Sequence, residues 1–305
     1  MAGINEGRVV AITGAGGGIG REHALAYAAE GAKIVVNDIG GSRDGSGNSA
    51  GPAHDVVEEI KAAGGEAVAH TEDISTWDGA ASLIQTAIDT FGTIDVLVNN
   101  AGILRDRMLA NMSEAEWDAV IKVHLKGTFA PTQHAVSYWR DKSKAGEAVD
   151  AAIINTSSPS GIFGNMGQTN YGAAKAGIAA FTIIASQELI RYGIRVNAIA
   201  PTALTRMTED LSIGEMAKSI PEGQFNPLDA ANISPLVVWL GSPAASSVTG
   251  RVFTVMGGTI TVAEGWVNGP TVTVDRKWEP GELTEVVPDL VAQAAGNANM
   301  FGLRG

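Results

Sequence analysis

The sequence predicts an α/β protein, a doubly wound parallel sheet with helices on both faces. Three observations predict it. Short apolar runs alternate with longer helical patterns along the 305 residues. A glycine-rich turn, TGAGGGIG at residues 13–20, lies where the first apolar run gives way to the first helical pattern. No internal repeat and no linker interrupts the alternation, so residues 1–260 read as one domain.

The elements follow in order. Residues 8–13 (RVVAIT) read as a buried strand, 20–30 as a helix and 32–38 (AKIVVND) as a second strand. Residues 40–53 are a Gly/Ser-rich insertion, expected as a mobile surface loop. Residues 56–63 are helical, 66–70 form a strand, 77–90 a helix and 94–99 (IDVLVN) a fourth strand. Ser113 and Glu116 have capping-box spacing, each side chain satisfying the other's backbone N–H, and open a long helix to about Arg140. Residues 151–156 are the fifth strand, 171–192 a long helix, 195–200 the sixth strand, 233–240 a helix and 252–255 the seventh strand. Right-handed crossovers then give the doubly wound order. Residues 261–305 form a C-terminal extension without a period, broken by Pro270, Pro280 and Pro288, and receive no fold.

Composition excludes some function classes. Formal net charge is -12, which argues against nucleic acid, since phosphate neutralisation needs Lys and Arg. The same charge argues against an anionic membrane surface, and no stretch approaches eighteen consecutive apolar residues. There is no cysteine, so neither a disulfide nor a thiol contributes. The N-terminus enters a strand directly, without a basic region and apolar run. A cytoplasmic protein is expected.

The glycine turn fits a dinucleotide. Its spacing is G-x-x-x-G-x-G through Gly14, Gly18 and Gly20; the G-x-G-x-x-G form fails because Ile19 takes the last glycine position. Glycines allow a tight turn and close approach of the Ile19 backbone and its neighbours to a pyrophosphate. The helix N-terminus directs N–H groups and a positive dipole end at it. Asp38 ends the second strand, twenty-four residues after Gly14. A carboxylate there accepts from both ribose hydroxyls of NAD and repels a 2′-phosphate, at a cost of about 1–4 kcal/mol for unit charges about 4 Å apart. Arg43, five residues later, is the one nearby cation that would favour NADP. After the third strand, Asp73 can take an adenine amino group while Ile74 packs the ring; Asp73 reads equally as a helix N-terminal residue. Asn99, Asn100, Ala101 and Gly102 end the fourth strand, where small residues let the chain pass a cofactor and amides tie loops together.

Tyr171 and Lys175 stand four apart on one helix face, and Ser158 lies thirteen residues before the tyrosine, just after the fifth strand. A lysine ammonium and a positive nicotinamide ring would favour phenolate and lower the tyrosine pKa from about 10. Such a phenol can exchange a proton with an alcohol or carbonyl whose oxygen Ser158 holds.

With these motifs the chain resembles the classical short-chain dehydrogenases/reductases over about residues 5–260. The resemblance implies a seven-stranded Rossmann sheet with the substrate site built into the same domain, and a homodimer or homotetramer. It implies that Tyr171 is the general acid/base, that Lys175 binds the nicotinamide ribose and lowers the phenol pKa, and that Ser158 polarises the carbonyl. Two positions depart from the family pattern. His124 stands where the family often places an asparagine supporting a water relay to the lysine; it reads either as part of that relay or as a packed helix residue. Pro201-Thr202 replaces a Pro-Gly after strand six, with Pro201 and Thr205 left at the nicotinamide amide. NNAGILRDRM, WDAVIKVHLKGTF and SGIFGNMGQTNY are similar to the dehydrogenase part of peroxisomal-type multifunctional β-oxidation enzymes, whose branch shares the histidine. That similarity implies oxidation of a 3-hydroxyacyl-CoA with NAD. A steroid-like alcohol, a dinucleotide sensor without catalysis and an epimerase remain as alternatives. Met207, Leu211, Ile213, Met216 and Phe225 are expected to line an apolar lid. Arg105 and Arg107 read as CoA-phosphate contacts or as surface charges.

Overall fold

A computed structural model describes residues 2–304, except 48, 206–208, 210–216, 218, 219 and 222. Its centre is an eight-stranded sheet in the order β3-β2-β1-β4-β5-β6-β7-β8. The strands are β1 (Val9–Thr13), β2 (Lys33–Asn37), β3 (Glu66–His70), β4 (Val96–Asn99), β5 (Ala151–Thr156), β6 (Ile194–Pro201), β7 (Val252–Met256) and β8 (Thr259–Ala263). The first seven pair in parallel, with Val10 opposite both Ile34 and Val96 at the centre. The order reverses between β1 and β4, so the crevice beyond their C-terminal ends is the place for a ligand.

The strands are apolar throughout because both faces are covered. Successive side chains point to opposite faces. Val10, Ile12, Ile34, Val36, Val96 and Val98 join one core with α1 (Gly18–Ala29), α2 (Gly51–Ala62) and α8 (Ser234–Gly241). Val9, Ala11, Val35 and Leu97 join the other, beneath α3 (Trp77–Phe91), α5 (Gly127–Lys144) and α7 (Thr169–Leu189). Trp139 of α5 is buried there and donates its indole N–H to the Ile94 carbonyl at 2.6 Å.

The sheet corrects the expected strand count from seven to eight. β8 is antiparallel to β7, so the sheet is not wholly parallel, and it crosses the domain limit expected at residue 260. Gly257 (φ +54°) and Gly258 make the two-residue hairpin between them, a turn signal present in the sequence. α2 begins at Gly51, with Pro52 in its first turn, so the expected 40–53 loop ends earlier. That loop is tied down: Leu104 N–H donates to the Arg43 carbonyl at 3.0 Å, and Arg105 Nε donates to the Asp44 carbonyl at 2.9 Å.

The Ser113/Glu116 capping box is present and starts α4 (Glu114–Ile121). The helix expected to continue to about Arg140 instead widens into a π-turn at Lys122–Lys126 before α5 carries on to Lys144. After a five-residue helix, α6 (Pro159–Phe163), the chain enters α7. Residues Thr169–Tyr192 are long and apolar enough to cross a membrane by length and composition. Here part of their buried side, including Ala185, lies against β5 and β6, while Ala174 packs with Ile103 and Val120. In the C-terminal extension, which received no fold from sequence, α9 (Leu283–Gln293) forms with no buried residue.

Candidate active site

The sheet brings the C-terminal ends of β1, β4, β5 and β6 to one edge, and the predicted residues gather there. Gly14 adopts φ +64° and Gly18 φ +53°, conformations that L side chains rarely take. A Cβ on Gly14 would lie 2.7 Å from the Ala101 Cα, and one on Gly20 would collide with the Gly14 carbonyl. Space at the turn thus requires glycine. α1 begins with Gly17 as its N-cap, without a side-chain cap and without an acid in its first turn. Its orphan N–H groups are left for an anion. Ile19, in this first turn, packs on the core, so it offers backbone rather than side chain.

Around this cradle the carboxylates and amides have defined partners. Asp38 Oδ2 accepts from the Gly16 N–H at 2.8 Å and Oδ1 from the Gly40 N–H at 2.6 Å, with lone pairs left for further donors. Thr13 Oγ1 accepts from the N–H groups of Asn100 (2.9 Å) and Ala101 (3.0 Å). Asn100 Nδ2 donates back to the carbonyls of Thr13 and Gly14 at 3.0 and 3.1 Å. Asn99 Nδ2 donates to Asn155 Oδ1, and Asn155 Nδ2 to Thr182 Oγ1, both at 2.9 Å. This buried ladder fixes β4, β5 and α7 in depth. Pro201 closes β6, and the Thr205 methyl lies 3.4 Å from where a Gly18 Cβ would stand. The cradle and the residues facing it fit a nicotinamide dinucleotide.

Asp73 has local work. Its Oδ1 accepts from the Ser75 N–H at 2.9 Å, and Lys122 approaches Oδ2 at 3.5 Å. Burial pushes this carboxyl up, yet the Ser75 hydrogen bonds and the Lys122 charge hold it below the usual carboxylate value. Ile74 is buried in the core against Gly127.

Ser158, Tyr171 and Lys175 come together at the end of β5. Ser158 is the N-cap of α6 and accepts from the Ser160 N–H at 3.2 Å. Lys175 is 3% exposed and donates from Nζ to the Thr156 carbonyl at 2.6 Å, with Nζ 5.5 Å from the centre of the Tyr171 ring. Burial pushes this ammonium down to about 7. On balance the chain's own groups do not lower the phenol pKa. Burial pushes Tyr171 up to about 12; the Ser158 hydroxyl opposes the shift and the Asp106 charge adds to it. Desolvation of the phenolate outweighs the Ser158 hydrogen bond, and the Lys175 Nζ is turned to a backbone carbonyl.

His124 sits in the π-turn, edge-on to Tyr171 with ring centres 5.1 Å apart. Its Nε2 lies 2.8 Å from the Ile103 carbonyl and 3.1 Å from the Ile103 N–H. Burial, with the Lys175 charge, pushes the imidazole down to about 3, so it is neutral. Its Nδ1 is buried without a partner among the described residues. A Cβ on Gly102 would collide with the His124 ring, so that glycine is the histidine's seat.

The remaining expectations divide. Arg107 pairs with Glu116 at 2.9 Å, and Arg105 is spent on the carbonyls of Asp44 and Ala115. Met207, Leu211, Ile213 and Met216 lie outside the described residues, and Phe225 is exposed. Sequence reasoning missed Asp106, Ser160, Gln168 and Asn170. Asn170 Nδ2 donates to the carbonyls of Arg105 and Glu116 at 3.0 and 3.2 Å, locking the loop after β4 to the start of α7. The signal was the density of polar groups in SPSGIFGNMGQTNY, between the serine and the tyrosine.

Comparison with known proteins agrees with this geometry. The family model described as short chain dehydrogenase matches residues 8–215. Hydroxyacyl-CoA dehydrogenase ChsB1 of Mycobacterium tuberculosis is 45% identical over 293 residues, covering 94% of this chain and 89% of that protein. The peroxisomal multifunctional enzyme type 2 of Mus musculus is 42% identical over 262 residues, 86% of this chain and 32% of that protein. The crystal structure of a short chain dehydrogenase from Mycobacterium avium superposes with a TM-score of 0.87 at 58% identity, covering 97% of this chain and 98% of that one. By its fold, its serine, tyrosine and lysine, and these relatives, the chain belongs to the short-chain dehydrogenases, oxidoreductases acting on CH–OH groups, close to the dehydrogenase part of the multifunctional enzymes.

Proposed function

We propose that this protein oxidises a 3-hydroxyacyl-CoA to the 3-oxoacyl-CoA with NAD, in fatty-acid or steroid side-chain oxidation. The observation that carries the reading is the convergence of Ser158, Tyr171 and Lys175 beside the glycine cradle. The Ser158 hydroxyl holds the substrate oxygen, and Tyr171 takes the proton from the substrate hydroxyl as its C–H leaves as hydride. Lys175 sits behind the ring, anchored on Thr156. NAD, when bound, accepts the hydride and brings the positive charge that favours the phenolate. Asp38 supports NAD over NADP because it adds a negative charge where a 2′-phosphate would lie. The substrate class rests on the names of the relatives, hydroxyacyl-CoA dehydrogenase and multifunctional enzyme.

The assay crosses NAD and NADP with a panel of 3-hydroxyacyl-CoA esters and steroid alcohols. Turnover of the acyl-CoA esters with NAD is expected. Turnover of free steroid alcohols alone would replace the substrate, and binding of NAD without turnover of any alcohol would make the protein a sensor.

We also infer a homodimer or homotetramer in the cytoplasm. Ile183 and Ile184 on α7, Phe129 on α5, and Trp266 and Val267 in the extension are apolar and exposed in the single chain, which supports association with further copies.

A further inference from the structure

Gln168 stands immediately before α7, three residues ahead of the tyrosine, and is buried. Its amide makes three side-chain hydrogen bonds. Nε2 donates to Asp106 Oδ2 at 2.7 Å, across 62 residues of sequence. Oε1 accepts from the Ser160 hydroxyl at 2.7 Å and from Asn165 Nδ2 at 3.0 Å. The carboxylate partner can only accept, so it fixes which end of the amide is nitrogen. The backbone is held too: the Gly172 N–H donates to the Gln168 carbonyl at 2.7 Å, and the Arg107 N–H to the neighbouring Gly167 carbonyl at 2.8 Å.

The chain of bonds does not stop at Ser160. The Ser160 N–H donates to Ser158 Oγ at 3.2 Å. That occupies an acceptor site of the serine and leaves its proton to be directed at an oxygen in the site. The Ser158 hydroxyl in turn acts on the Tyr171 phenol. Asp106, Gln168 and the Ser160 hydroxyl are therefore hydrogen-bonded in series, and Ser160 carries the path on to Ser158 and Tyr171 through its backbone N–H. It runs from an exposed carboxylate on the loop after β4, through the first turn of α6, to the reacting oxygen.

We propose that Gln168 is a positioning residue for the reaction, whose amide sets the Ser158 hydroxyl against Tyr171 and couples both to Asp106. The inference rests on the oxidoreductase reading of Ser158 and Tyr171. A buried amide that bridges three elements fits this role better than simple packing, because an apolar side chain of equal volume would leave Asp106, Ser160 and Asn165 without their partner at once. Coupling to charge follows from position. Among the described residues, the titratable groups around Tyr171 are Lys175 on its own helix, His124 in the π-turn and Asp106 on the loop after β4. Asp106 is the acid among them, and its charge raises the phenol pKa.

Three full-length variants test this. Gln168→Leu breaks the path; kcat is expected to fall about tenfold or more, while the dissociation constant for NAD stays within about twofold, since Gln168 touches no cradle residue. Asp106→Asn removes the negative charge, so the pH midpoint of kcat for alcohol oxidation moves down. Gln168→Glu adds a carboxylate on the same path, so the midpoint moves up. A side chain that only supported the fold would not move the midpoint in opposite directions. A turnover-independent arm measures amide hydrogen exchange: Gln168→Leu is expected to expose residues 158–165 and leave residues 13–20 protected. Absence of turnover in the unmodified protein would count against the proposed function alone. Unchanged midpoints in an active enzyme, or unchanged exchange at residues 158–165, would overturn the role given to Gln168.

Discussion

Asp38 shows how one side chain serves two purposes. It accepts from the backbone of Gly16 and Gly40 and keeps lone pairs for further donors. Asp38→Asn keeps the size and removes the charge. The ratio of kcat/KM for NAD over NADP is expected to fall about fivefold or more, from the Coulomb cost of about 1–4 kcal/mol at about 4 Å; an unchanged ratio would show that another residue reads the ribose. His124 makes a second residue-scale prediction. Its imidazole is held at about 3, below the unfolded value near 6.5, because burial disfavours the cation. The unfolded chain then binds the proton first, so the folded state loses stability as pH falls from about 6.5 toward 3, by up to a few kcal/mol. His124→Asn should flatten part of the decline of Tm with acid over that window; buried His23, likewise pushed down to about 3, His70 and the lowered carboxyls of Asp73 and Glu116 also contribute to it. An identical decline would contradict this. At this scale the serine, tyrosine, lysine and glycines were legible because their spacing is local. Gln168 and Asp106 were not, since a hydrogen bond across 62 residues leaves no period in the sequence. The burial that raises the Tyr171 phenol was not legible for the same reason, since it is set by distant segments.

Elements were legible where their chemistry is short-ranged. The Ser113/Glu116 capping box and the strands of β3 and β5 lie where the sequence puts them. The π-turn at Lys122–Lys126 was hidden because helical periodicity tolerates one extra residue. What it achieves is visible only in three dimensions: it brings His124 over Gly102 and against Tyr171. Gly102→Ala would force the ring aside. Overpacking of this kind costs about 1–3 kcal/mol. Denaturant unfolding should show that loss together with a lower kcat, because the displaced ring no longer supports Tyr171. Wild-type stability and turnover in this variant would mean that the histidine has room to move. β8 was legible in the sequence, since Gly257-Gly258 announces a hairpin and TITVA alternates polar and apolar residues, although in the single chain it stays almost wholly exposed.

Over the whole molecule, alternation of strand and helix was enough to recover the doubly wound sheet, while its switch point between β1 and β4 is seen only in the strand order. The C-terminal extension was not recoverable, since α9 buries nothing in the single chain and Trp266 is 99% exposed. Both cores are complete by Phe253 and Val255. Removing residues 264–305 should therefore leave a folded chain that binds NAD, while reducing the size of the assembly measured by light scattering. Loss of the fold would show that the extension carries core energy after all. The central claim is that the Tyr171 oxygen exchanges the proton with substrate, and its most direct test is the steady-state kcat of Tyr171→Phe for NAD-linked oxidation of a 3-hydroxyacyl-CoA. A fall of about 10²-fold or more, with NAD affinity retained, is expected from loss of a general acid/base; turnover at the unmodified rate would contradict it.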